Sequence, residues 1–255
     1  MKMNYKKIEI IGLRGIPDIK AGDDLAKIIC EKADEQIGGL IEGDIIVVAS
    51  KIVAKAEGRI VKLSDVQPSP FARRVAELTG KTPELVELIL RESNKIVRMK
   101  GGHLIVETKH GFVCANAGID KSNVAGGEEV VSLLPEDPDQ SARKIREDIR
   151  RIKNIDVAII ISDTFGRAWR RGHVNFAIGV AGINVIKDYR GSQDIYGYTL
   201  RVTQIAVVDE LAAAAELAMG KSDRIPVVII RGYDYPKGED SIKNLLYPED
   251  KDLFR

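Results

Sequence analysis

Residues 157–162 read VAIIIS and run directly into Asp163. A run with no polar side is a strand of the fully buried kind. The chain therefore needs a sheet covered by other layers. Residues 44–49 (DIIVVA) form a second, shorter run of the same β-branched type.

Around these two runs, strand-like and helix-like patterns alternate. Residues 7–13 read as a first strand. Asp23 and Asp24 offer an N-cap, and Leu25, Ile28, Ile29 and Ala33 follow at helical spacing. Helices are predicted over 70–78 and 83–91, each with proline near its start. Gly101-Gly102 reads as a hairpin turn, with further strand at 103–108 and 112–115. Residues 141–152 form an amphipathic helix with Ile145 and Ile149 on one face. The segment 175–185 (NFAIGVAGINV) is apolar and glycine-rich with weak periodicity. Residues 203–219 read as an Ala-rich helix closed by Gly220. Residues 225–230 are a last strand, and the polar stretch after Gly232 is expected to loop over the surface. No internal repeat, linker or domain boundary is visible. The expectation is a mixed α+β fold with more antiparallel pairing than a Rossmann fold.

At 255 residues, with 44% hydrophobic and 30% charged, the chain fits a globular protein able to bury its own core. The net charge of +1 excludes a strongly basic nucleic-acid footprint. No apolar run approaches the ~20 residues of a membrane span, and no nucleic-acid or membrane partner is expected. Cys30 and Cys114 stand far apart in apolar patterns, as in a reducing cytoplasm.

Four segments carry chemistry. In SDTFGRAWRRG, Asp163 follows the apolar strand, Thr164 adds a second hard oxygen, and Arg167, Arg170 and Arg171 crowd behind them. Carboxylate and hydroxyl oxygens suit Mg²⁺ or Mn²⁺, and arginines suit phosphate or carboxylate. Taken alone, the same residues also fit a capped loop with solvated arginines. In CANAGIDKSN, Asp120 and Asn123 could present oxygens, or simply close an Asx-type turn. Ser50, Lys51 and Lys55 follow the 44–49 strand, where they could meet phosphate or only solvent. The turn Leu13-Arg14-Gly15-Ile16-Pro17 is the fourth. Gly220-Lys221-Ser222 is no P-loop, because Ala215 stands where the first glycine belongs and the segment ends a helix. Four such segments, each following a strand, point to a metal ion and cationic side chains handling a phosphorylated substrate.

Together these segments resemble the coenzyme F420-0:γ-glutamyl ligase family. The landmarks are IPDIKAGDDL, SKIVAKAEGRI, NAGIDKSN, SDTFGRAWRRG with FAIGVAG, VVDELAAAAELAMGK and IPVVIIRG, in that order from Gly12 to Gly232. The resemblance implies one catalytic unit over 1–255, with an unusual two-subdomain ligase fold and an intertwined homodimer. It implies a GTP-dependent enzyme that adds L-glutamate to coenzyme F420-0, then a second glutamate by a γ-linkage. It also implies Mg²⁺ or Mn²⁺, with K⁺ as a further cation.

Carried over by motif, Ile16, Pro17, Asp18 and Ile19 match a first nucleotide-binding loop. Ser50, Lys51 and Lys55 match a second, and Met219, Gly220, Lys221 and Ser222 a third. Asn123 matches a nucleotide contact. Asp120 matches a metal ligand, Asp163 a ligand of a first metal, and Thr164 a ligand of a second. Lys221 departs from the pattern, standing where some members carry a Glu ligand. A protonated lysine cannot ligate a metal. Asp120 and Asp163 are the expected catalytic carboxylates, and side-chain chemistry adds Arg167. A metal-dependent nucleotide hydrolase, a nucleotide-binding regulator and a ligase for another acceptor remain alternative readings.

Overall fold

The computed structural model describes residues 5–121 and 129–253. The first elements are β1 (Glu9–Gly12), α1 (Leu25–Ile37), β2 (Ile45–Ala49), α2 (Ser50–Ala56) and β3 (Ile60–Lys62). Next come α3 (Pro70–Thr79), α4 (Pro83–Arg91), β4 (Ser93–Lys100), β5 (His103–Thr108) and β6 (Val113–Ala115). Then follow β7 (Val130–Ser132), α5 (Pro138–Lys153), β8 (Ala158–Arg167) and β9 (Arg170–Ala181). The chain closes with β10 (Lys187–Asp188), β11 (Gln204–Ile205), α6 (Val207–Met219) and β12 (Val227–Arg231).

The two apolar runs end up side by side. β2 and β8 pair in parallel, from Ile45 with Ala158 to Ala49 with Ser162. They are central strands of a five-stranded sheet ordered β1-β12-β2-β8-β9. The other strand pairs among the described residues are antiparallel. Ile45 to Val48 and Ala158 to Ile161 are fully buried, as strands covered on both faces must be.

Helix α5 packs on β8 and β9, while α6 lies across β9, β1 and β12. Asp137 caps α5 through Gln140 N, and Pro138 occupies its first turn. Gly179 allows this docking: a Cβ there would lie 2.4 Å from the Pro138 carbonyl carbon. The buried apolar side chains fall into two clusters. One surrounds the five-stranded sheet, and the other draws on residues between Leu63 and Leu133.

Several boundaries move for physical reasons. The strand opened by the 157–162 run does not stop at Asp163, because β9 pairs with it out to Arg167. The segment 175–185 is largely that partner strand. Helix α6 starts at Val207, because Gln204 and Ile205 pair with Lys187 and Asp188. Residues 50–56, read as a loop, form helix α2 with Ser50, Ile52, Val53 and Ala54 buried. The stretch after Gly232 is not only surface. Tyr235 and Ile242 are buried, and Asp139 holds the segment by accepting from Ser241 Oγ at 2.7 Å.

Candidate functional site

The parallel pairing of β2 with β8 fixes the centre of the site. Because Ala49 lies opposite Ser162, the next residues, Ser50 and Asp163, emerge together. The Ser50 hydroxyl hydrogen bonds to the Asp163 carboxylate. The Thr164 N–H donates to Asp163 Oδ1 at 2.8 Å.

Asp120 comes from a third strand segment. After β6 the chain passes through Asn116, Ala117 and Gly118 with φ of 55°, 56° and 70°. Left-handed backbone at the buried, non-glycine Ala117 is strained. The turn then delivers Asp120, which bridges Ser132 through paired backbone hydrogen bonds of 3.1 and 2.9 Å. Helix α2 brings two lysines one turn apart. Lys51 Nζ lies 2.7 Å from Asp120 Oδ2, and Lys55 Nζ lies 2.7 Å from Asp18 Oδ1. The Lys55 ammonium holds the Asp18 carboxyl below its usual value.

Asp163 is the electrostatic focus. Burial pushes its carboxyl up to about 6; the Asp120 charge adds to the rise, while the Thr164 N–H, Lys51 and Ser50 oppose it. Two close carboxylates, one of them desolvated, form an arrangement that an added cation relieves. The donor set thus fits a hard divalent ion at Asp120 and Asp163. Cys114 is close enough to feel the same carboxylate. Burial, with the Asp163 charge second, pushes its thiol up to about 12, so it is inert as a nucleophile.

Thr164 faces elsewhere. Successive side chains of a strand leave on opposite faces. Phe165, on the face of Asp163, stacks on Phe176 with centroids 6.0 Å apart. Thr164 instead pairs across the hairpin with Asn175 and donates to its Oδ1 at 2.7 Å. Lys221 Nζ donates to Thr164 Oγ1 at 2.5 Å. Asn175 Nδ2 reaches Met219 Sδ at 3.8 Å, tying the end of α6 to the hairpin. Lys221, Thr164 and Asn175 thus form one hydrogen-bonded chain on this face. Among the described residues, no group of three or more His, Cys, Asp or Glu side chains gathers around one point.

The sequence-predicted residues divide accordingly. Ser50, Lys51, Asp120 and Asp163 converge. Asp18 joins the same flank through Lys55, with Ile19 buried beneath it, Ile16 half-buried and Pro17 exposed. Thr164, Met219 and Lys221 form the second group; Gly220 and the exposed Ser222 share its segment. Arg167 sits at the β8–β9 tip, four residues along the strand from Asp163, and its Nη2 donates to the Arg171 carbonyl at 3.3 Å. Asn123 lies outside the described residues.

Sequence reasoning passed over Asn175 and Cys114. A lone buried Asn in an apolar run was the available signal for the first. Two clefts lie apart from the Asp163 cluster. One, of about 360 Å³, opens beside Asp44 and Arg231 at the other end of β2. The second, about 440 Å³, borders the β4–β5 turn at Lys100, Gly101 and His103.

Carboxylates faced by lysines at the end of a parallel strand pair are the class of site whose charges suit an anionic substrate and a cation. Comparison with known sequences gives that class a family. A sequence model of the F420-0:Gamma-glutamyl ligase family matches residues 14–232. The chain is 49% identical over 251 residues to the coenzyme F420:L-glutamate ligase of Methanothermobacter thermautotrophicus, covering 97% of this chain and 99% of that protein. It is 45% identical to the protein of that name from Methanopyrus kandleri, covering 93% of each chain. For the one from Methanocaldococcus jannaschii the identity is 42%, covering 98% of each. This chain belongs to the F420-0:γ-glutamyl ligase family.

Proposed function

We propose that this protein is a GTP-dependent ligase that joins L-glutamate to coenzyme F420-0 and then adds a second glutamate by a γ-linkage. The observation that carries this reading is the Asp120–Asp163 pair, desolvated at one member and faced by Lys51, in a chain similar over nearly its whole length to ligases of that name. Asp120 and Asp163 would hold Mg²⁺ or Mn²⁺, with K⁺ as a further cation. When bound, the divalent ion supplies neutralisation of phosphate charge.

The chain's own residues do the rest. An acceptor carboxylate oxygen attacks the γ-phosphorus of GTP, the bond to the β-phosphate oxygen breaks, and GDP leaves. The resulting acyl phosphate is attacked at carbon by the glutamate amine. The C–N bond forms, phosphate leaves, and the amine proton passes to solvent. Bringing a polyphosphate to a carboxylate is repulsive, about 4 kcal/mol for two unit charges at ~4 Å and an effective dielectric of ~20. Lys51 and Lys55, on one face of α2, offset that repulsion by turning from Asp120 and Asp18 to the phosphates. Arg167, Arg170 and Arg171, at the hairpin tip, would meet a longer anionic acceptor by their side-chain chemistry. The reading includes a homodimer, measurable by sedimentation. It also includes a reducing, cytoplasmic setting, which the two free, buried cysteines support.

Mass spectrometry of coenzyme F420-0 after incubation with the protein, L-glutamate, GTP and Mn²⁺ tests the reaction. The expected product is heavier by one or two glutamyl units, with GDP formed in step. GTP consumption with an unchanged acceptor would replace the ligase by a hydrolase or by a ligase for another acceptor.

A further inference from the structure

Thr164 is the residue that family resemblance assigns to a second metal ion, yet its hydroxyl is already engaged. Its single proton goes to Asn175 Oδ1, and the oxygen accepts from the Lys221 ammonium. Asn175 is buried and turns its amide to Met219, the last residue of α6. Directly after Met219, Gly220 adopts φ 58° and ψ −174°, a conformation open essentially to glycine alone. That turn sends Lys221 back towards the hairpin. A lysine on the surface beside a hydroxyl is commonly a loose contact. Here three consecutive hydrogen bonds run from the ammonium into the core and fix the segment that carries it.

We infer that the Lys221 ammonium takes the place of a second divalent cation, leaving this chain one metal site, at Asp120 and Asp163. Three observations support the assignment. Thr164 and Asp163 leave β8 on opposite faces, so the threonine cannot simply complete the carboxylate site. A divalent ion at Thr164 would stand against the ammonium, with strong like-charge repulsion. The Asp223 carboxylate lies against Gly220, and among the described residues no group of three or more His, Cys, Asp or Glu side chains gathers there to outweigh the ammonium. A tethered monovalent charge instead serves the purpose of an ion, stabilising anionic oxygens of a bound polyphosphate without being recruited from solution. This assignment rests on the nucleotide reading above for its ligand, while the count of metal ions is its own.

The test is the number of Mn²⁺ ions bound per chain at saturating GDP, from the free-Mn²⁺ electron paramagnetic resonance signal. GDP binding is followed in parallel and folding by circular dichroism. The wild type should bind one ion tightly. Lys221→Glu removes the ammonium and adds a carboxylate, and should bind two. Lys221→Met removes the charge without adding a ligand, so it should keep one ion and bind GDP roughly tenfold more weakly. Two tight ions in the wild type would overturn the assignment while leaving the nucleotide reading intact. So would a folded Lys221→Glu chain that still binds one, or a Lys221→Met chain with unchanged GDP affinity. A wild type that binds neither GDP nor Mn²⁺ would remove both readings. If Lys221→Glu fails to fold, the wild-type count and the Lys221→Met affinity still decide.

Discussion

Two carboxylates flank the parallel pair β2–β8, one at each end, and they live differently. Asp44, just before β2, is 1% exposed, and Arg231 grips it with Nε on Oδ1 at 2.8 Å and Nη2 on Oδ2 at 2.7 Å. The Ile41 N–H donates to the same carboxylate at 2.9 Å. Asp163, at the other end, meets no guanidinium among the described residues. Its neighbours are a hydroxyl, one backbone N–H, a second carboxylate and a lysine shared with it. A buried charge with its partner built in is scaffold. One left short of positive charge is a candidate for function.

The largest expected effect lies at the scaffold end. Asp44→Ala leaves the half-buried Arg231 guanidinium without its carboxylate and should cost about 3–5 kcal/mol in denaturant unfolding. An equal loss from Asp163→Ala would erase the distinction between the two ends. Next, Asp163→Asn should leave the fold intact but lower ligase turnover about 100-fold or more. Near-normal turnover with Mn²⁺ would take Asp163 out of the machinery.

The third effect is a dependence on pH without metal. In the folded chain the Asp163 carboxyl titrates at about 6, against an ordinary value of 3.8. Between those values the folded chain keeps a proton that the unfolded chain has released. Stability therefore falls as pH rises through this window, and the penalty persists above it. In EDTA, the melting temperature of Asp163→Asn should exceed that of wild type by more at pH 7.5 than at pH 5. A gap independent of pH would assign the change to packing. The smallest effect is expected at Lys55→Ala. Its partner Asp18 is largely exposed to solvent, so stability should change by less than about 1 kcal/mol. GTP affinity should fall roughly tenfold in a binding titration, and an unchanged affinity would return Lys55 to a purely surface role.

Much of the scaffold was legible, because runs such as VAIII and IIVV have no other place to go. The N-cap at Asp24 and the prolines opening α3 and α4 also read directly, since capping and first-turn chemistry are local. What stayed hidden was long-range. Nothing local shows that β8 continues past Asp163, because Thr164 to Arg167 are strand only through pairing with β9. Lys51 and Lys55 were visible as charges, but their common face depends on α2 being a helix. Its burial comes from contacts distant in sequence. The Asp120–Asp163 cluster was named residue by residue, while the contact of Lys221 with Thr164, 57 residues apart, appears only in three dimensions.

The strand order β1-β12-β2 means that residues 227–231 are inserted between two strands made much earlier. On the ribosome, the facing edges of β1 and β2 must wait for that late segment. At ~5–20 residues per second, the interval from Ala49 to Val227 is about 10–35 s. During it the Ile-Ile-Val-Val edge lacks one hydrogen-bonding neighbour and can stick to other chains. A nascent chain stalled before β12 should therefore depend on chaperones far more than its completed form. Arg231, at the end of that same strand, grips Asp44 only when the insertion is complete. The ion pair that locks one end of the sheet thus also registers that synthesis has reached its closing strand.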